Sequence, residues 1–186
     1  MTPQLETRRL LLRPIELADA AQVQALFPQW EIVKYLAKVV PWPYPPDGAY
    51  TYYRDVAIPA MEHNEAWHWT LRLKESPAQI IGSISLLSGK KNRGFWITPE
   101  WQGRGLMTEA CDTVTDFWFN VLKMPVLRVP KAVVNTASRR ISERQGMRVV
   151  ETGEQDYVSG RYPTETWEIT AEEWNAHRRG EQTKGV

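Results

Sequence analysis

The sequence predicts one α+β domain, with helices first, a sheet in the middle of the chain and one long helix behind it. Three observations predict this class. Short amphipathic patterns of helical period precede residue 63, three strand-like runs lie between residues 67 and 98, and the longest helical pattern follows them. The chain has 186 residues, of which 42% are apolar and 24% charged, so its length suits a single domain and its composition excludes wholesale disorder.

Hydrophobic periodicity and the positions of proline divide the first third of the chain into short elements. The predicted order is a strand over 6–15, helices over 19–27 and 31–38, and a third helix over 48–63. Pro14 ends the strand, while Asp19 and Asp47 are the predicted N-caps of the first and third helices. The segment 41–46, Pro-Trp-Pro-Tyr-Pro-Pro, is predicted to be a loop, because proline fixes φ and removes a backbone donor.

The rest of the chain alternates between strands and helices. The predicted order is strands over 67–73, 80–87 and 94–98, a helix over 105–122, a strand over 126–134, a helix over 135–145, strands over 147–151 and 164–170, and a last helix ending at residue 179. A Lys-Glu-Ser-Pro-Ala turn joins the first two strands into a predicted hairpin, and Gly146 is the predicted C-cap of the second helix. Residues 1–179 are therefore the predicted domain, and 180–186 a frayed C-terminal tail.

The charge and the numbers of cysteine and histidine exclude several classes of function. With 23 basic and 22 acidic side chains the formal net charge is +1, so nothing favours general nucleic-acid binding or docking on an anionic membrane. Cys111 is the one cysteine, which excludes a disulfide framework and a cysteine zinc site, and the three histidines lack ligand spacing, so no metal is expected. No apolar run reaches the roughly 18 residues of a membrane span. No targeting segment is recognised, so the expected compartment is the cytoplasm.

The segment 95–110 carries the clearest chemical signal. There a strand ends, a turn with two glycines follows, and the best helix of the chain begins. Unpaired N–H groups at a helix N-terminus bind anions, glycine lets a phosphate approach closely, and Arg104 adds a fork of donors. The pattern predicts a phosphate cradle, with a plain β–α turn and a solvated arginine as the alternative. It is neither a P-loop, whose Gly-Lys-Ser/Thr run is absent, nor a dinucleotide fingerprint, since Thr108 replaces the third glycine.

Four blocks of sequence resemble one acyltransferase family. Gln102, Gly105 and Met107 occupy the defined positions of the Gln/Arg-x-x-Gly-x-Gly/Ala loop of the GNAT acetyltransferases, with methionine in place of a small residue. The segment 135–147, Asn-Thr-Ala-Ser-Arg-Arg-Ile-Ser-Glu-Arg-Gln-Gly-Met, resembles the Asn-x-x-Ser…Glu-Lys-x-Gly-Phe block of the ribosomal-protein N-terminal acetyltransferase branch. The opening Glu-Thr-Arg-Arg-Leu-Leu-Leu-Arg-Pro and the Pro-Trp-Pro-Tyr run also agree, so the resemblance covers most of the chain, from residue 5 to residue 175.

The resemblance implies a GNAT fold, in which a central mixed, mostly antiparallel twisted sheet is flanked by helices and acetyl-CoA lies in a slot between two splayed parallel strands. One strand would pair its backbone with pantetheine through Trp96, Ile97 and Thr98. The pyrophosphate would be held by backbone N–H groups of Gln102, Gly103, Arg104, Gly105, Leu106, Met107 and Thr108. From the other strand, Asn135 would bond the pantetheine arm and Ser138 would lie near the sulfur.

Ser138 and Asp156 are the predicted catalytic residues. In this branch the serine is thought to protonate the departing thiolate, a fair leaving group because a free thiol has a pKa of about 8.5. Taken alone, Ser138 is better explained as an ordinary helix-start hydroxyl that bonds backbone, and only the surrounding block favours the catalytic role. Ser142 stands where many GNAT enzymes have a catalytic tyrosine, so that route is closed. Asp156 precedes the branch's late Tyr-x-x-Gly-x-Tyr block and is expected to be the base or an amine-binding anion, with an exposed turn aspartate or an ordered water as the alternatives.

Aromatic side chains are the predicted walls of the acceptor site. Trp42 and Tyr44 lie in the proline-rich loop that corresponds to the family's acceptor side, and Tyr162 closes the late block. Trp69 shares a strand face with Trp67, so the pair either extends this wall or packs against a helix, with core packing expected for one of them.

The predicted function is transfer of an acetyl group from acetyl-CoA to a primary amine by direct attack in a ternary complex. The branch implies a protein N-terminal α-amine as the acceptor, and the protein is expected to be a monomer or a homodimer. Two alternatives stay open. One is acetylation of a small amine such as an antibiotic, a polyamine or an amino-acid analogue, and the other is an acyl-CoA-binding module without turnover.

Overall fold

The computed structural model describes residues 1–184. Its strands are β1 (Leu5–Glu6), β2 (Leu10–Pro14), β3 (Ala66–Leu73), β4 (Gly82–Leu87), β5 (Arg93–Ile97), β6 (Val126–Ala132), β7 (Arg148–Tyr157) and β8 (Gly160–Thr170). Its helices are α1 (Ala20–Leu26), α2 (Trp30–Val33), α3 (Gly48–Tyr52), α4 (Ile58–Glu62), α5 (Leu106–Asp116), α6 (Thr136–Arg144) and α7 (Ala171–Lys184). Single 3-10 or π-helical turns adjoin several of them.

The strands form two antiparallel sheets that meet at β5 and β6. The first sheet has the order β1-β2-β3-β4-β5, and the second has the order β6-β8-β7. At the junction the Asn92 N–H donates to the Arg128 carbonyl at 2.8 Å. Three residues further along both strands, the Lys131 ammonium lies 5.7 Å from the centre of the Phe95 ring. Because both contacts advance in the same direction, β5 and β6 run parallel.

A gap opens between β5 and β6 beyond this junction. Within residues 1–184 no ladder of backbone hydrogen bonds joins the two strands, so the C-terminal half of β5 has a free edge on the side of β6. We call this gap the slot. The predicted α+β class and the predicted pair of splayed parallel strands are confirmed.

Alternation along β3 directs its side chains to the two faces of the first sheet. On one face Trp69 makes an edge contact with Phe117, in the π-helical turn that continues α5, at a ring-centroid distance of 5.6 Å. On the other face His68 lies beside Tyr52 of α3, with ring centroids 6.2 Å apart. The sheet is thus covered by α5 on one face and by the layer of α1–α4 on the other.

Asp19 fastens the α1–α4 layer to the sheet. Asp19 is 4% exposed, and one carboxylate oxygen accepts from Arg72 at 2.6 Å and from Arg13 at 2.9 Å. The other oxygen accepts the Glu16 N–H at 3.1 Å. Asp19 immediately precedes α1 as predicted, but its side chain makes no capping hydrogen bond to that helix. It acts instead as the counter-charge of an arginine in the core.

A π-helical turn divides the helix that was predicted over 48–63. α3 passes into the turn Tyr53–Ala57 and then into α4, whose second residue is Pro59. Proline has no N–H and crowds the carbonyl four residues before it, and a wider turn relieves that contact. Asp47 occupies the N-cap position of α3, although its side chain makes no capping bond.

The second predicted helix is shorter than expected because its last residues pair with a hairpin. α2 ends at Val33. The N–H of Val158 then donates to the carbonyl of Leu36 at 3.0 Å, and the N–H of Lys38 donates to the carbonyl of Asp156 at 3.3 Å. The tip of the β7–β8 hairpin is therefore held against the chain that leads into the proline-rich loop.

The last elements extend beyond their predicted ends. β7 and β8 form one long hairpin instead of the two short strands predicted over 147–151 and 164–170. α7 continues to Lys184, beyond the predicted helix end at residue 179, while residues 185–186 lie outside the described part; the frayed tail over 180–186 stays a prediction. No helix within the described residues combines the length and the apolar character needed to cross a membrane.

Candidate active site

The loop between β5 and α5 has the backbone geometry of an anion cradle. Gly103 and Gly105 have φ of +71° and +75°, a region that side chains with a Cβ rarely adopt, and Gly105 is the N-cap of α5. The N–H groups of residues 103–105 donate to no acceptor within the described chain. Together with the first N–H groups of the helix, they are available to a negatively charged ligand at the mouth of the slot. The residues therefore fit the phosphates of a coenzyme A.

Two arginines border this loop. The Arg104 guanidinium lies 4.6 Å from the ring centre of Trp101. The main-chain carbonyl of Arg104 accepts a hydrogen bond from the Arg9 guanidinium at 3.1 Å. Arg9 is held in place by Glu109 in the first turn of α5, with Nε to Oε2 at 2.9 Å. The sequence analysis missed Arg9 as a site residue, although it belongs to the arginine-rich opening that supported the resemblance. It adds a second positive charge beside the cradle.

The other loop residues hold the cradle in shape. Gln102 donates from Nε2 to the carbonyl of Ile97 at 3.1 Å, which ties the loop to the end of β5. Leu106 and Met107 are buried in the core below the loop. A large methionine is accepted at a position that is usually small because its side chain points into the core, while its backbone lies in the first turn of α5. Thr108 follows in the same turn.

The end of β5 faces both the slot and the α1–α4 layer. The Trp96 ring packs on Phe27 at 5.4 Å, and the Trp96 main chain lies opposite Ser83 of β4. Ile97 and Thr98 are buried, and the Thr98 hydroxyl has no hydrogen-bond partner among the described residues. Contact of these three residues with a ligand through the main chain stays a prediction.

Asn135 and Ser138 start α6 at the far end of β6. Asn135 is the N-cap, and its Oδ1 accepts the Ser138 N–H at 3.2 Å. The Ser138 side chain is 9% exposed, and its Oγ lies 2.8 Å from the ammonium nitrogen of Lys131 on β6. The serine is therefore neither an isolated hydroxyl nor a purely local cap.

Lys131 is a second residue of this site, after Arg9, that the sequence analysis missed. It is 3% exposed and lies across the slot from Phe95. Burial, and after it the nearby Arg93 guanidinium, lowers the pKa of Lys131 from 10.5 to about 7. The signal was present: a lysine follows Leu127 and Val129 at the period of two that marks the buried face of a strand.

Replacing Lys131 with methionine is expected to stabilise the fold by about 1–4 kcal/mol near neutral pH, since a packed apolar chain replaces a buried charge. The pKa of Lys131 is about 7 in the folded protein and 10.5 when unperturbed. Between these two pH values the unfolded chain binds more protons than the folded protein. The wild type therefore gains stability as pH rises through this range. The variant's advantage should shrink accordingly in melts at about pH 9.5, compared with about pH 6.5. Lys74→Met, at a surface lysine 3.0 Å from Glu6, is the matched control. An advantage for Lys131→Met that is independent of pH would contradict the assignment.

Asp156 lies at the hairpin tip in an open setting. Its side chain is 50% exposed, and its carboxylate is 3.6 Å from the Arg161 guanidinium. The contacts are those of an exposed hairpin aspartate, the alternative left open by the sequence. Its role as a base stays a prediction.

Aromatic rings connect the proline-rich loop to β5. Tyr44 packs on Phe27 at 5.0 Å, and Phe27 in turn packs on Trp96. Trp42 is 42% exposed and lies 5.8 Å from Trp30. Tyr44 is thus linked through Phe27 to Trp96 on β5, and the roles of Trp42 and Tyr44 as acceptor walls stay predictions.

Tyr162 lies on the β7–β8 hairpin, close to the chain that precedes the proline-rich loop. Its ring is 6.0 Å from that of Tyr35. Tyr162 is therefore close to the end of α2 and stays a candidate acceptor contact.

Trp69 does not line the acceptor site, and its prediction as a substrate contact is wrong. It is 0% exposed and faces α5, and its Nε1 donates to the carbonyl of Pro3 at 2.7 Å. Trp67, on the same face of β3, is buried as well, so both indoles pack in the core. Alternation correctly grouped the two rings, but it could not tell which face of β3 the acceptor meets.

No group of three or more His, Cys, Asp or Glu side chains with a metal-binding arrangement is found in the described part of the chain. The site consists instead of glycine backbone, arginines, a buried lysine–serine pair and aromatic rings. Such a set suits transfer of a group from a phosphate-bearing carrier.

The chain belongs to the GNAT acetyltransferase family, because residues 9–148 match the family described as "Acetyltransferase (GNAT) domain". It is therefore an acyltransferase, as the sequence predicted. A stretch of 72 residues, 36% of this chain, is 33% identical to YdaF of Bacillus subtilis (strain 168), named as a candidate ribosomal N-acetyltransferase. The match spans 39% of that relative's length.

Solved structures share the whole fold at low sequence identity. The ribosomal-protein-S5-alanine acetyltransferase of Vibrio fischeri has a TM-score of 0.78 at 16% identity, covering 92% of this chain and 98% of that one. RimJ of Mycobacterium smegmatis, solved with a CoA-disulfide, has a TM-score of 0.78 at 17% identity, with 93% and 91% covered. RimL, a ribosomal L7/L12 α-N-protein acetyltransferase solved with coenzyme A, has a TM-score of 0.77 at 13% identity, with 90% and 98% covered. The resemblance to the ribosomal-protein acetyltransferases is confirmed at the level of the fold.

Proposed function

We propose that the protein transfers an acetyl group from acetyl-CoA to the N-terminal α-amine of a protein, by direct attack in a ternary complex. The observation that carries the proposal is the glycine loop at residues 103–105, with free N–H groups beside a slot that ends at Ser138. The names of the related ribosomal-protein acetyltransferases support the choice of acceptor. Such an acceptor would be met in the cytoplasm.

The residues of the slot divide the work of binding and transfer. Acetyl-CoA would supply the thioester, whose acyl group is open to attack by an amine. The N–H groups of residues 103–105 and the charges of Arg9 and Arg104 would hold its phosphates, while the free edge of β5 would orient its arm. Ser138 would donate a hydrogen bond at the end where the thiol departs, and this donor stabilises charge as it develops on sulfur.

The acceptor requires little help from a base. An α-amine has a pKa of about 8, against about 10.4 for a lysine side chain, so a useful fraction is already neutral at pH 7. This difference favours an N-terminal amine for a site whose one predicted base, Asp156, is half exposed and paired with Arg161. Trp42, Tyr44 and Tyr162 would provide rigid walls for the residues that follow the amine.

The proposal is tested by offering acetyl-CoA with short peptides whose only free amine is at the N-terminus. We expect mass spectrometry to find one added acetyl group on the N-terminal residue. N-terminally blocked peptides with a free lysine are the matched control and should react much more slowly. Faster acetylation of a polyamine, an amino-acid analogue or an antibiotic would overturn the choice of acceptor. Binding of acetyl-CoA without transfer to any amine would identify an acyl-CoA-binding module instead.

A further inference from the structure

A buried cation lies where the proposed reaction releases its leaving group. Lys131 is 3% exposed, and within the described chain its ammonium makes no ion pair with a carboxylate; its one recorded hydrogen bond is to Ser138 Oγ at 2.8 Å. A buried ammonium without a counter-charge is costly, so a lysine at this place calls for a reason beyond packing.

The donor count of lysine fixes the direction of this hydrogen bond. A protonated ammonium has three donors and no acceptor, so Ser138 Oγ must accept from Lys131. The single proton of the serine hydroxyl is then free for another acceptor. Because Asn135 already holds the Ser138 N–H at 3.2 Å, the serine is fixed by its backbone as well as by its side chain. The Ser138 hydroxyl proton therefore points away from Lys131.

We propose that Lys131 is the positioning residue for the leaving group: it orients the Ser138 hydroxyl toward the thioester sulfur and replaces the proton that the serine gives up. This inference rests on the proposed function, since it concerns the same slot and the same transfer. It adds a buried lysine to Ser138 and Asp156, the two side chains that the sequence predicted to be catalytic.

The proposed step balances in atoms and protons. The amine nitrogen forms the C–N bond as the C–S bond breaks, and the electron pair of that bond goes to sulfur. Sulfur takes the Ser138 hydroxyl proton, Ser138 Oγ takes a proton from Lys131 Nζ, and Lys131 becomes a neutral amine. The new amide nitrogen loses its extra proton to solvent, and solvent returns one to Lys131 before the next turnover.

The acidity of Lys131 suits this step. An ordinary lysine has a pKa of about 10.4, whereas a free thiol has a pKa of about 8.5. Proton transfer from such a lysine to the thiolate would therefore be unfavourable. Burial first, and then Arg93, lowers the pKa of Lys131 to about 7, below that of the thiol, so transfer toward sulfur runs downhill.

Charged and titratable groups from four elements surround the Lys131–Ser138 pair. They are Arg93 on β5, Cys111 and Asp112 on α5, Arg139 on α6 and Glu165 on β8. Glu165 pairs in register with Lys131, but its carboxylate is bound to Arg139 at 3.0 Å. Burial raises the pKa of the Cys111 thiol, which keeps it neutral. Arg93 is thus the main charge that acts on Lys131.

The first test compares pH profiles of kcat for the wild type, Lys131→Met and Lys131→Arg with one peptide acceptor. The ratio of wild-type to Lys131→Met rates cancels the titration of the acceptor amine. We expect that ratio to be about tenfold at low pH and to fall toward one as Lys131 loses its proton, with little change in KM for acetyl-CoA. Lys131→Arg keeps a positive charge at every pH. It should restore part of the rate, and its rate relative to Lys131→Met should not fall as pH rises. Lys74→Met should match the wild type throughout.

The second test does not depend on turnover. NMR of lysines labelled with carbon-13 at Cε follows the titration of Lys131 alone, with CoA and with desulfo-CoA. CoA should raise the pKa of Lys131, since ammonium and thiolate stabilise one another, and desulfo-CoA should not.

Each result decides between the inference and its failure. A rate ratio that stays constant with pH, a Lys131 resonance that does not distinguish CoA from desulfo-CoA, or acetylation of Lys131 itself would overturn the inference. In those cases binding and peptide acetylation by the wild type would leave the proposed function standing. If the wild type acetylates no peptide, the NMR comparison still decides the role of Lys131.

Discussion

Ser138→Ala is expected to lower kcat by about 100-fold while acetyl-CoA binding stays nearly unchanged. The variant loses the hydrogen bond to the departing thiolate, but it leaves the phosphate-binding loop intact. The Ser138 hydroxyl lies at the end of the slot, where its oxygen contacts Lys131 and Asn135 holds the serine N–H. The measurement is steady-state kinetics with a peptide acceptor, together with a binding titration of acetyl-CoA.

Ser142→Ala is the matched control for this variant. Ser142 lies one turn further along α6, is fully buried, and its hydroxyl has no partner within the described chain. Its removal leaves no donor or acceptor unpaired, so the rate should remain that of the wild type. If Ser138→Ala keeps more than half of the wild-type kcat, the assignment of Ser138 as the donor to the leaving group is wrong.

Asp19→Ala is expected to destabilise the fold by about 3–5 kcal/mol, because it leaves the Arg72 guanidinium charged and without its partner in the core. Arg72 is 1% exposed, and among the described residues its other bonds go to the Thr70 hydroxyl and the carbonyls of two loop residues. Denaturant unfolding followed by fluorescence of the buried tryptophans measures the loss. The layer of α1–α4 should loosen from the sheet in the same variant.

Asp55→Ala provides the comparison at an exposed ion pair. Asp55 contacts Arg54 at 2.6 Å, but both side chains are about half exposed to solvent. Solvent screens exposed pairs, which contribute little to stability, so this variant should unfold close to the wild type. Equal destabilisation by the two substitutions would show that burial of the Asp19–Arg72 pair is not the cause.

Local chemistry explains why the cradle was predictable from the sequence. Gly103 and Gly105 adopt positive φ, which glycine allows, and Asn135 caps α6 three residues before Ser138. Each of these features depends on residues close together in the chain. The spacing of such residues along the chain therefore predicts the local backbone geometry. Hydrophobic periodicity predicts the strands and helices around them in the same way.

Contacts between distant elements explain what the sequence missed. Lys131 meets Ser138 only because β6 and α6 fold against one another, and Trp69 is core only because α5 covers that face of β3. The long β7–β8 hairpin was underestimated because β7 is almost wholly exposed and lacks an apolar alternation. A pattern of residues gives the period of an element, but not which neighbour each face will meet.

The most direct test of the account is thermal unfolding with acetyl-CoA, CoA, ATP or NAD. A ligand at 100 times its dissociation constant stabilises the native state by about 2.7 kcal/mol, a shift that a melt resolves. We predict that acetyl-CoA and CoA raise the unfolding temperature and that ATP and NAD do not, because the loop at 103–105 and the free edge of β5 are suited to a phosphate group followed by an extended arm. Equal shifts with ATP or NAD, or no shift with CoA at millimolar concentration, would contradict the assignment of this loop and slot as the acetyl-CoA site.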